Sequence, residues 1–288
     1  MPRGGGAAAA GRRGGWRSLA EAVAAAVLWG SIGVVYRMGV AGGADGAWLV
    51  LGRPLLAGLP GLAAAVLGLS RPSRWSAAVG LLGLAPLYAS YFLAVERLGA
   101  ALASVLLYTA PVWVVLVSGP VLGEPPGARG LAAAVAGFAG VALIAGPGAG
   151  PADALGLVLG LVSGASYACY IVLARYAQAR GARVAEVAVH SLPFAALGVA
   201  AVVRPAGLPG LLDLAYAGYL AFVGTLLPYT LSSRALRRLE AHRVAVVSLV
   251  EPLTAILLAV LLLGEKLSTA QALGAALVLA SSLLAARG

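Results

Sequence analysis

The sequence predicts an all-α membrane protein of ten transmembrane helices in two inverted five-helix repeats, and three observations predict it. The chain is 61% hydrophobic and 10% charged, with a mean hydropathy of +0.96. That is more apolar surface than a soluble domain of 288 residues buries. Apolar runs of about 20 residues, the length that crosses a roughly 30 Å hydrocarbon core as a helix, recur with short polar breaks between them. One block also occurs twice, as Tyr108 to Glu124 (YTAPVWVVLVSGPVLGE) and Leu249 to Glu265 (LVEPLTAILLAVLLLGE). At a constant offset of 141 residues, Pro111 falls on Pro252, Leu116 on Leu257, Leu122 on Leu263, Gly123 on Gly264 and Glu124 on Glu265. The same register pairs Tyr88 with Tyr229, Ala94 with Ala235 and Arg97 with Arg238, so the whole chain is an internal duplication.

Residues 1–17 are Gly-, Ala- and Arg-rich with no hydrophobic period, and are expected to form a disordered cytoplasmic tail. The run from Leu19 to Val40 is longer than the apolar core of a signal peptide, so it is expected to stay as the first span, 18–40. Spans at 46–68, 76–95, 100–122 and 128–146 complete the first repeat, 18–146. Spans at 154–175, 185–203, 211–233, 243–263 and 269–286 fill the second, 147–288. An odd number of crossings per copy makes the second copy enter the membrane from the opposite side. Basic residues agree: Arg3, Arg12, Arg13, Arg17, Arg71, Arg74, Arg129, Arg175, Arg180, Arg183, Arg234, Arg237, Arg238, Arg243 and Arg287 fall on one side. The other side receives Arg37, Arg97, Arg204 and Lys266, which places both termini in the cytoplasm of a multi-pass cell-membrane protein.

The net charge of +10 is spent in these short clusters rather than along one face, so no nucleic acid partner is expected. The single Cys169 permits no intramolecular disulfide and no CxxC site. With only His190 and His242 besides, no metal and no cofactor are expected. No GxxxxGK[ST] loop is present to hold ATP. Gly156, Gly160 and Gly164 recur on one face of the sixth span; close packing on a neighbouring helix is the expectation, with a homodimer contact as the alternative.

Candidate functional residues are those that cost most in hydrocarbon. Glu251 lies about eight residues into the ninth span, roughly 12 Å from its end at 1.5 Å per residue. A charge there costs about 2.5–3.5 kcal/mol unless it faces a cavity or a partner. A carboxyl group in that position can take up and release a proton, which makes Glu251 a candidate for proton coupling, with a hydrogen bond beside Pro252 as its structural alternative. His190, at similar depth in the seventh span, is a candidate relay partner. Arg53, in the second span, is suited to an anionic group or a backbone carbonyl. Trp29, Tyr88, Tyr91, Tyr108, Trp113, Tyr167, Tyr170 and Tyr229 fall inside spans and are candidates to line a solute pocket. Pro111 and Pro252 withhold a donor from the preceding turn and are expected to kink or loosen their helices. Glu124 and Glu265 are expected to cap the connections that follow them.

The two proline-to-glutamate blocks resemble those of the EamA-type permeases of the drug/metabolite transporter superfamily, as do the Gly/Ala-rich closing helices at 128–146 and 269–286, Leu28-Trp29-Gly30, Tyr167-Ala168 and Arg53. The resemblance implies a secondary carrier that moves small organic solutes, amino acids among them and often outward, by alternating access. It also implies a central cavity, with the fourth, fifth, ninth and tenth helices serving largely as packing. No catalytic residue is expected. Two rivals remain: an intramembrane serine protease built on Ser166 and His190, and a non-transporting scaffold.

Overall fold

The computed structural model describes residues 5–146, 153–263 and 268–286, and no strand occurs among them. Its apolar helices in chain order are α1 (Gly15–Ala41), α2 (Gly46–Val66), α3 (Arg74–Leu98), α4 (Leu102–Leu122), α5 (Gly127–Ile144), α6 (Ala154–Ala179), α7 (Val184–Ala200), α8 (Leu211–Leu236), α9 (Ala241–Leu262) and α10 (Thr269–Ala285). Eight are long and apolar enough to cross a membrane; α7 and α10 are shorter. The helix carrying α1 runs back to Gly5, ahead of the start expected at 18, because the alanine run there favours helix. Residues 147–152, where the second repeat is expected to begin, and Glu265 lie outside the described residues.

The helices form a ring. α6 packs along α3 and α4, α1 along α8 and α9, and α2 along α7 and α8, while α3 meets α7, α4 meets α9, and α5 lies against α10. Exchanging α1–α5 for α6–α10 maps α3–α6 onto α8–α1, α4–α6 onto α9–α1 and α2–α8 onto α7–α3. The pairs α2–α7, α4–α9 and α5–α10 map onto themselves, so the contact pattern of the described helices is unchanged by the exchange.

Lipid offers helices no hydrophobic reason to associate, so they do so by close backbone approach at small residues. A Cβ placed on Gly140 of α5 would stand 2.8 Å from the Gly274 carbonyl of α10. The glycine face of α6 is consumed in the same way within the chain: a Cβ at Gly156 would come 2.7 Å from Leu98, and one at Gly164 2.5 Å from the Leu106 carbonyl.

Two helices widen at equivalent places. π-helical turns occupy Val79–Leu84 in α3 and Phe222–Leu226 in α8. Each is followed two residues later by a proline, Pro86 or Pro228, with Tyr88 two residues beyond the first and Tyr229 directly after the second. Proline has no N–H for the carbonyl four residues back, and a widened turn accommodates the loss. α4 and α9 break instead, at Tyr108–Thr109 and Ser248–Leu249, just ahead of Pro111 and Pro252.

Replacing Gly140 by valine sets a side chain against a backbone carbonyl that has no way to yield. The expected loss is about 1–3 kcal/mol, read as a lower Tm in detergent, whereas Gly218→Ala, with nothing within 4 Å of the added Cβ, leaves Tm near that of the native chain.

Candidate solute-binding cavity

The ring encloses a cavity of about 870 Å³, a size suited to a small organic molecule. Every helix except α7 contributes to its wall. α4 and α9 are main contributors, through Ser104, Leu107 and Tyr108 and through Glu251, Pro252, Ala255 and Ile256. Val141 and Ile144 of α5 and Gln271 of α10 also line it, so these four helices do more than the packing expected of them.

The wall is mostly apolar, and an aromatic cluster forms its deep end. Trp29 stands edge-on to Tyr229 at 5.2 Å between ring centroids and to Tyr167 at 6.2 Å, and Tyr88 meets Tyr229 at 6.5 Å. Edge-to-face pairs stabilise by about 0.5–1.5 kcal/mol beyond their burial, so these rings hold one another in place. Trp29 is seated by Gly30, where an added Cβ would meet the Glu251 carbonyl at 2.6 Å. The Trp29 indole Nε1 is buried without a hydrogen-bond partner among the described residues, although the ring lines the cavity. Indole N–H is a donor only, so it suits a ligand that brings an acceptor.

Two opposite charges face this space. Arg53 of α2 donates from Nε to Thr225 Oγ1 at 2.6 Å and from Nη2 to the Gly224 carbonyl at 3.3 Å. That carbonyl is available because residue 228, the α-helical donor it would otherwise meet, is proline. Thr225 Oγ1 passes its own proton to the Leu220 carbonyl at 2.8 Å. The guanidinium also lies 4.8 Å over the Tyr88 ring. Opposite, Glu251 of α9 lines the same wall as Tyr108, within range of the Arg53 charge. Tyr91, the remaining expected aromatic on this wall, shares a 3.0 Å hydrogen bond with Ser104.

Three expected site residues lie elsewhere. Trp113 lies beyond the break at Tyr108–Thr109 and faces outward with Val112, Leu116 and Phe138, its indole bonded to Thr109 Oγ1 at 3.1 Å. Tyr170 forms a second layer, stacked on Tyr167 at 6.3 Å and edge-on to Tyr229 at 5.0 Å. His190 precedes the first turn of Ser191–Ala200, is 2% exposed, and shares a 2.7 Å hydrogen bond with Ser70. It therefore meets neither Glu251, as a relay would need, nor Ser166, as a protease would need.

Tyr36, Arg37, Asp45, Glu96 and Gln271 are lining residues that the sequence reading missed. All stand near helix ends, where polar side chains are ordinary, so only their convergence marks them. They share one face with Ala100 and Ile144, and the cavity approaches the surface there. On that face Asp45 N donates to Asp213 Oδ1 at 2.7 Å and Arg97 Nη1 to Asp153 Oδ2 at 2.6 Å. The Arg97 hydrogen bond holds the Asp153 carboxyl below the ordinary range.

Comparison with known proteins gives this geometry a family. A protein of Archaeoglobus fulgidus described as an uncharacterized transporter is 33% identical over 220 residues, 72% of this chain and 76% of the relative. A solved crystal structure of a protein superposes with a TM-score of 0.78 over 93% of this chain and 96% of its own, at 24% identity, which bears on the fold alone. The profile of the EamA-like transporter family matches residues 17–146 and again 154–287. The chain belongs to the EamA-like transporter family and is a multi-pass membrane transporter.

Proposed function

We propose that the protein is a secondary carrier for small organic solutes bearing a carboxylate, amino acids foremost, moved outward across the cell membrane by alternating access of two five-helix halves. The observation that carries this reading is that Arg53 and Glu251, from different halves of the chain, line one aromatic-walled cavity. Each charge costs several kcal/mol in hydrocarbon unless it is used or satisfied. Arg53 is held from behind by Thr225 and Gly224, which leaves guanidinium N–H groups for a solute carboxylate. Trp29 Nε1 supplies a further donor, the aromatic rings take the solute's apolar part, and Glu251 receives its ammonium group or a proton.

In this reading Glu251 couples transport to protons: it is neutral in one part of the cycle and charged in another. Both termini face the cytoplasm, as the basic loops favour.

The direct test is flux in proteoliposomes loaded with a mixed pool of labelled amino acids and metabolites, with and without an imposed pH gradient. Native protein is expected to move a carboxylate-bearing member of the pool in response to the gradient, and Glu251→Gln to lose that response. Exchange indifferent to the gradient in both proteins would remove the proton role and leave the carrier. Arg53→Met deletes a charge-assisted hydrogen bond of about 1.5–3 kcal/mol, so KM for that solute rises roughly 10- to 100-fold. Trp29→Phe keeps the ring and removes the donor; KM rises several-fold, by about 1 kcal/mol, with kcat little changed.

A further inference from the structure

The cavity reaches toward one face only. The connections on the other face, residues 67–73, 123–126, 180–183 and 237–240, contribute nothing to its wall. On that face a charge pair is seated on a helix corner. Glu124 follows Gly123, whose left-handed φ of 69° turns the chain out of α4. Its Oε1 accepts from Arg175 of α6, from Nε at 2.7 Å and Nη2 at 2.6 Å. Its Oε2 accepts from the backbone N–H of Ala241, at the start of α9, at 3.0 Å. Arg175 Nη1 then reaches the Leu236 carbonyl, at the end of α8, at 2.9 Å.

Leu236 C=O and Ala241 N–H belong to helix ends, where backbone groups have no partner within their own helix. The pair from α4 and α6 thus satisfies both sides of the α8–α9 corner at once. A nearby bond from Gln178 Nε2 to the Ser233 carbonyl at 2.9 Å continues the same seam. The Glu124 and Arg175 side chains are only 14% and 21% exposed, so water competes weakly for them.

We propose that Glu124 and Arg175 are the latch of this face, and that their hold on the Leu236–Ala241 corner is released and remade in each transport cycle. The proposal rests on the transport reading, but its test needs no solute. In a Cys169→Ser background, an Ala255→Cys variant, altered on the cavity wall, is labelled with a membrane-impermeant thiol reagent from either side of oriented vesicles. Glu124→Gln and Glu124→Ala are expected to raise labelling from the Glu124 side by about tenfold. Labelling from the opposite side is expected to fall or hold, and that signal also certifies the fold. Arg175→Lys, which keeps the charge, is expected to lie nearer the native level than Arg175→Gln. Unchanged labelling from the Glu124 side, or an equal rise from both sides, would overturn the latch. A failure to find any transported solute would count against the carrier and leave the labelling result standing.

Discussion

Keeping Arg53 and Glu251 out of contact with lipid is the constraint on which the rest of the structure depends. One charge sits on α2 and the other on α9, so no single pair of helices hides both. The ring solves this by placing both halves of the chain around one cavity and turning the charged side chains inward. Apolar residues then cover the outside, where exposed Leu and Val on nearly every helix are what a bilayer requires.

Backbone irregularity is used where the charges need it. Pro228 cannot donate to the Gly224 carbonyl, and Arg53 takes that acceptor. A residue that breaks the helical ladder in α8 thereby anchors a cation from α2, and Thr225 inside the same widened turn supplies the second acceptor. The equivalent turn in α3 has Leu84 where α8 has Thr225, and the second repeat carries no arginine matching Arg53. The family profile matches both halves, and only one of the two widened turns is furnished for charge.

Helix ends show the same economy on a different scale. The corner between α8 and α9 leaves a carbonyl and an N–H without intrahelical partners, and a carboxylate–guanidinium pair from α4 and α6 satisfies both. Glu124 was expected to cap the connection that follows it. It bonds instead to two elements of the second half, Arg175 and Ala241, because the ring brings the ends of α4, α6 and α9 to one face.

Hydropathy was sufficient to name an all-helical membrane protein and to place most of its helices within a few residues, and it marked Arg53 and Glu251 as candidates. The physical reason is that a charge in hydrocarbon is costly enough to stand out against its neighbours without knowledge of any contact. Side chains of ordinary cost give no such signal. Trp113 and Tyr108 read alike in the sequence, yet with the helix broken between them one faces outward and the other the cavity. His190 and Glu251 share a depth, but the packing of α7 outside the cavity wall gives the histidine to Ser70. Asp45, Glu96 and Gln271 look like common helix-end residues until three separate helices bring them to one mouth. Depth along a helix is a property of one segment and is written in the sequence, whereas direction around it and the partner it meets depend on the whole ring and were decided only by the tertiary structure.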